Sequence, residues 1–175
     1  MIKSKETVFA IISIITISLI LFLQPDASQL AGFTFAMLFC LFNKENRNNT
    51  NTIVKIITSL ILIIFTVLAW NLSVNLQPVS YTEEILLMLK DISSVLYVLG
   101  IISLFLIPIP VIVFSKKSLK TLSFCIALYY WIIVISTFFG DFPVPFMGYG
   151  ISPIIGYFIV LIFFVKHTEI QEQKK

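Results

Sequence analysis

The sequence predicts an all-α, polytopic membrane bundle of about six transmembrane helices with both termini in the cytoplasm. Three observations carry this expectation. Of the 175 residues, 58% are hydrophobic and only 12% charged, with a mean hydropathy of +1.01, above the roughly 45–50% apolar share of soluble domains. Apolar runs close to the ~20 residues that cross a ~30 Å hydrocarbon core recur along the whole chain. The basic residues, finally, fall in alternate loops, as the positive-inside bias requires. No stretch is left over for a soluble domain, so residues 1–175 read as a single membrane-embedded domain.

The expected spans are 7–23, 29–42, 53–71, 92–114, 121–139 and 151–165. The first follows Lys3 and Lys5 and runs from Val8 to Leu23; its core is long for a signal peptide and no A-x-A site follows, so a retained helix is expected. It stops at Gln24-Pro25-Asp26. The second, Leu30 to Phe42, is short for a full crossing and must start inside the Asp26 turn, thin the bilayer or re-enter. Charge argues for keeping it. With six crossings, one side carries Lys3, Lys5, Lys44, Arg47, Lys55, Lys116, Lys117, Lys120, Lys166, Lys174 and Lys175, 11 of the 12 basic residues. The other side keeps Lys90 and five acids: Asp26, Glu83, Glu84, Asp91 and Asp141.

"NKENRNNTNT" (43–52) is then a polar cytoplasmic turn, where its Asn-Asn-Thr sequon has no meaning. After the third span comes the longest external segment, 71–94. Within it, Tyr81 to Asp91 reads as a short interfacial helix, with Ile85, Leu86, Met88 and Leu89 toward lipid or protein and Glu83, Glu84 and Lys90 toward water. Pro108 and Pro110 lie inside the fourth span and predict a kink near Ile107, because each removes a backbone donor and crowds the preceding turn. Neighbouring helices would have to satisfy the freed carbonyls.

Several function classes fall away. The basic residues are too scattered for a nucleic-acid footprint. Cys40 and Cys125 sit in apolar runs, where a thiol serves as a small buried hydrophobe. No nucleophile elbow, P-loop, dinucleotide-binding glycine motif or metal-ligand spacing occurs, and the one histidine, His167, falls in the cytoplasmic tail. The five outer acids come from three loops that a compact six-helix bundle would bring to one surface; they read as the ordinary external excess of acids or as general bases or ligands of a divalent cation. "GDFPVPFMGYGISPIIGYF" (140–158) packs three prolines, four glycines and five aromatics into 19 residues. Such a segment must be packed in protein or line a cavity, and reads as a structural cap or as a ligand groove.

Within it, "PVPFMGYGIS" (143–152) resembles the Pro-x-Pro-Phe-x-x-Tyr-Gly-x-Ser signature before the last helix of the SEDS proteins, the RodA, FtsW and SpoVE family of peptidoglycan glycan-strand polymerases. "LQPDAS" (23–28) is similar to that family's Gln-Pro-Asp turn, and "YTEEILLMLKD" (81–91) to the stretch carrying its catalytic aspartate, whose position Glu83 occupies. Order and sidedness agree. The resemblance implies a truncated or diverged C-terminal six-helix portion of a ten-helix family. It marks Gln24, Pro25, Asp26, Asp91, Pro143, Pro145, Phe146, Tyr149, Gly150 and Ser152 as motif or binding positions. If the mechanism is kept, it implies a peptidoglycan glycosyltransferase using lipid II. Glu83 would take the proton from a sugar hydroxyl of one lipid-linked muropeptide as it attacks the anomeric carbon of another, and a divalent cation would steady the departing pyrophosphate.

The chain departs from the pattern where turnover would need it. The loop ahead of Tyr81 is short, Glu stands for Asp at 83, Tyr for His at 81, and Gly150-Ile151 replaces Gly-Gly. Lys90 is the one outer cation. The expectation is therefore a SEDS-like protein of the bacterial inner membrane, acting in peptidoglycan synthesis, cell division or cell shape. Its role would be binding or regulatory, with a cell-wall synthase, transpeptidase or lipid-linked muropeptide as partner. A different class competes: a non-enzymatic interaction protein such as a toxin-immunity or exclusion factor. A carrier fits less well, since no span holds a well-centred charge.

Overall fold

The computed structural model describes residues 2–24, 27–43, 51–73, 84–148 and 151–172. Among these, secondary structure is helical and no strand occurs. The helices are α1 (Ile2–Leu23), α2 (Ala27–Phe42), α3 (Thr52–Ser73), α4 (Ile85–Ile92), α5 (Ser94–Leu106), α6 (Ile109–Val113), α7 (Lys120–Ser136) and α8 (Ser152–Glu172). A 3-10 turn at Lys117–Leu119 leads into α7. Three helical stretches, Thr52–Ser73, Ser94–Val113 and Lys117–Ser136, are long and apolar enough to cross a membrane; Thr7–Leu23, Ala27–Phe42 and Ser152–His167 are apolar but shorter. The chain divides into two compact units, Met1–Gln77 and Pro78–Lys175.

In the first unit α1, α2 and α3 each pack against the other two. The sequence of α2 explains how so short a helix is held. Ala27, Ser28, Ala31, Gly32 and Ala36 are all buried, and small residues at these spacings let neighbouring backbones approach closely where apolar association has little water to expel. Leu30 and Leu62 are completely buried between them. Thr34 and Thr66 share a hydroxyl hydrogen bond of 2.8 Å, and Phe22 stacks on Phe65 with centroids 5.3 Å apart. Helix α3 starts at Thr52, one residue before the expected span, and Asn51 caps it, its Oδ1 accepting from the Ile53 N–H at 3.1 Å. Lys55, one turn on, is only 6% exposed. Cys40 is half-buried and Cys125, in the second unit, is buried; neither is in a disulfide.

In the second unit the helices are interrupted twice: once near the expected junction of the interfacial helix with the 92–114 span, and once inside that span. The first interruption is at Ser93, whose extended backbone (φ −165°, ψ 128°) separates α4 from α5 and whose Oγ accepts from the Val95 N–H at 3.3 Å. Serine is a favoured residue for this end of a helix. The chain therefore folds back there, with α4 against α5. Gly100 makes the approach possible: a β-carbon on it would lie 3.3 Å from a Leu89 methyl and 3.7 Å from one of Leu86. The expected amphipathic helix is present from Ile85 on. Leu86 is buried and Ile85 and Leu89 pack on the core, while Met88, Lys90 and Asp91 are exposed.

The second interruption is the proline break. Helix α5 ends at Leu106 and α6 begins at Ile109, which puts the break at the expected Ile107. The core of this unit is Leu86, Leu104, Val134 and Val144, ringed by Ile85, Leu89, Tyr97, Ile101, Phe105, Ile107 and Met147. One of these four comes from no helix: Val144 lies between the two prolines of the 143–145 motif. At the far end of α6, Ser123 Oγ bonds to Ser115 Oγ at 2.8 Å and so fixes the start of α7 against the end of α6.

Candidate functional site

The segment between α7 and α8 folds onto the helices. A turn at Thr137–Phe139 closes α7, with the Phe138 N–H on Ile135 O and the Phe139 N–H on Ser136 O at 3.1 and 3.0 Å. Phe142 and Val144 are then 3% and 2% exposed, and Pro145 is buried as well. Residues 144–147 make a tight turn in which Val144 O accepts from the Met147 N–H at 3.3 Å and the Gly148 N–H at 2.7 Å. Proline second and a positive φ third is the arrangement of a type II turn, whose third position normally takes Gly or Asn. Phe146 occupies it here with φ 67°, and among the described residues it is the one non-glycine residue with positive φ. For a bulky side chain this costs on the order of 1–3 kcal/mol and persists only where surrounding contacts impose it.

Those contacts are aromatic. The Phe146 ring lies 5.6 Å from Tyr130 of α7 and 5.5 Å, edge-on, from Tyr157 of α8. Tyr130 and Tyr157 are themselves edge-on at 5.7 Å, which closes a three-ring cluster. Each such pair contributes about 0.5–1.5 kcal/mol beyond its buried area, so two contacts to Phe146 are of the size needed to offset the turn. Both tyrosines also use their hydroxyls. Tyr130 Oη donates to Pro153 O at 3.3 Å, in the first turn of α8, where a proline loses no helical bond. Tyr157 Oη donates to Ile107 O at 2.7 Å, and Trp131 Nε1 donates to Phe105 O at 3.1 Å. Trp131 and Tyr157 thus bring donors from two other helices to carbonyls beside the break; the carbonyls that Pro108 and Pro110 leave without a helical N–H are those four residues earlier, Leu104 and Leu106.

Beside this turn lies a cleft of about 270 Å³ lined by Glu84, Leu86, Leu87, Tyr97, Thr137, Phe138, Gly140 and Asp141. Two of the acids that the sequence places in separate loops, Glu84 and Asp141, thereby share one wall-to-wall opening with a phenol and a threonine. Asp91 is on α4 but does not line it; its side chain is exposed next to Lys90. Among the described residues no group of three or more His, Cys, Asp or Glu could hold a metal ion.

Of the residues singled out from the sequence, Pro143, Pro145 and Phe146 come together in the turn, and Ser152 starts α8 with an exposed side chain. Gln24 is exposed just past α1, in the first unit. Pro25, Asp26, Glu83, Tyr149 and Gly150 lie outside the described residues. Sequence reasoning passed over Tyr130, Trp131 and Tyr157, which hold the turn and the break. Their signal was a polar tip on an otherwise apolar helix beside a proline-rich neighbour, since buried Tyr and Trp require a partner. His167 lies on α8, half-buried, with its ring stacked on Phe163, one turn earlier, at 5.6 Å. No family model matches the chain, and no curated protein or solved structure matches it.

Proposed function

We propose that this chain is a multi-pass protein of the bacterial inner membrane, crossing six times with both termini inside, that binds within the peptidoglycan-synthesis machinery as a non-polymerising, SEDS-like protein. Six apolar helices, three of them of full crossing length, support the membrane placement, as do outward faces that carry Phe9, Leu23, Phe114 and Phe139, each more than 70% exposed. The observation that carries the functional reading is the Pro143–Gly148 turn. The stretch most similar to the SEDS signature has a buried Val144 and Pro145 and a strained Phe146. A plain connector has no need of that expense. The cleft beside it, about 270 Å³, is below the ~300–1,000 Å³ of ordinary small-molecule sites, which favours binding over the handling of two lipid-linked sugars.

The test is affinity purification of the full chain from bacterial membranes. A cell-wall synthase should co-purify, and Pro145→Ala should reduce its recovery several-fold, because the turn loses the fixed φ that proline supplies. In parallel, the purified chain is given fluorescent lipid II. No glycan product is expected; a product abolished by Glu83→Gln would replace this reading with an active glycosyltransferase. Protection of cells against one pore-forming toxin, with glycan synthesis untouched and no synthase recovered, would replace it with an immunity factor.

A further inference from the structure

We infer that Phe146 works as a latch on the proline break between α5 and α6. The break joins its two helices through Ile107 and Pro108 alone. Pro108 and Pro110 have no N–H, so two of the intrahelical bonds that would help to hold a fixed angle here are missing. Side chains from elsewhere supply the restraint: Trp131 on Phe105 O at 3.1 Å and Tyr157 on Ile107 O at 2.7 Å. The Tyr157 ring that reaches Ile107 is packed against Phe146 and Tyr130, at 5.5 and 5.7 Å, and against its neighbour Phe158 at 6.2 Å.

The turn carrying Phe146 is under strain, with φ 67° at a position suited to glycine. Such a residue has a lower-energy backbone state available as soon as its ring leaves the aromatic seat. The latch is therefore loaded toward opening and held shut by ring contacts. Withdrawing Phe146, by mutation or by a partner that engages Pro143–Gly148, removes a ring packed against Tyr157, frees Ile107 O and lets the break change its angle. This inference stands on the geometry and is independent of the function proposed above.

Hydrogen exchange of the full chain in lipid nanodiscs tests it, read on peptides covering 105–116, with 94–104 as internal control. Tyr157→Phe deletes one oxygen and should raise exchange across the break about tenfold, the effect of one lost hydrogen bond of moderate strength. Phe146→Gly should raise it similarly, although glycine relieves the turn. The double variant should exchange no faster than either single one, because both act through the same bond. Phe146→Leu, which keeps apolar bulk and loses the ring, replaces the glycine variant if that one does not fold. Unchanged exchange in Tyr157→Phe would overturn the inference. So would effects of the two substitutions that multiply, since the residues would then act independently.

Discussion

Thr34 and Phe146 show how differently single residues are read. The Thr34 to Thr66 bond of 2.8 Å joins α2 to α3, yet Thr66 also donates toward its own helix, to Leu62 O at 2.9 Å. Thr34→Val would consequently leave Thr66 with a partner. The expected loss is about 0.6 kcal/mol, the average for hydrogen bonds between helices in membranes, and not the 1–3 kcal/mol of an orphaned buried group. Reversible unfolding of the full chain in mixed micelles would measure it, and a loss above 2 kcal/mol would show that Thr66 does not fall back on Leu62. Phe146 was marked from the sequence because of the motif it belongs to. Its backbone conformation was not legible, since the third place of a proline-led turn predicts Gly or Asn and nothing local asks for a ring. The reason lies in Tyr130 and Tyr157, 16 positions before and 11 after.

At the level of elements, hydropathy located the helices and proline located the break, because both signals are local. The junction expected between the interfacial helix ending at Asp91 and the span from 92 falls at Ser93, the serine of a helix start; that the two helices pack on each other was not legible. Gly100 leaves room at that fold-back for the Leu86 and Leu89 side chains. Gly100→Leu would drive its side chain into Leu89 and Leu86 and should cost about 1–3 kcal/mol, the usual penalty of overpacking. Gly100→Ala should cost much less, because the nearest atom, at 3.3 Å, ends a flexible side chain and alanine gains roughly 1 kcal/mol in helix propensity. Limited proteolysis after the exposed Lys90 gives the readout: fast cleavage in the leucine variant, slow cleavage in the alanine variant and the parent chain. Equal rates in all three would mean that α4 is held by something other than this contact.

For the whole molecule, the helical class seen in the described residues was legible in composition and in the recurring apolar runs, whereas the division into Met1–Gln77 and Pro78–Lys175 was not read from the sequence, although its boundary falls in the 71–94 connection. Apolar runs report which segments avoid water and say nothing of which segments touch each other. A compact bundle was expected to bring the loop acids to one surface; that Glu84 and Asp141 line one cleft depends on packing that hydropathy does not report. Charge makes the sharper global statement, since 11 of the 12 basic residues fall on one side of a six-span topology. Single cysteines at positions 26 and 141, in a chain with Cys40 and Cys125 replaced by alanine, should react with an impermeant maleimide added to spheroplasts. Protection of both would overturn the six-span arrangement.

The bond from Tyr157 to Ile107 spans 50 residues of chain, and the order of synthesis gives that distance a meaning in time. At about 5–20 residues per second, the α5–α6 break is made several seconds before the tyrosine that completes it. Through that interval another donor such as water must serve its carbonyl, and α8, translated after the break, brings the hydroxyl that closes it.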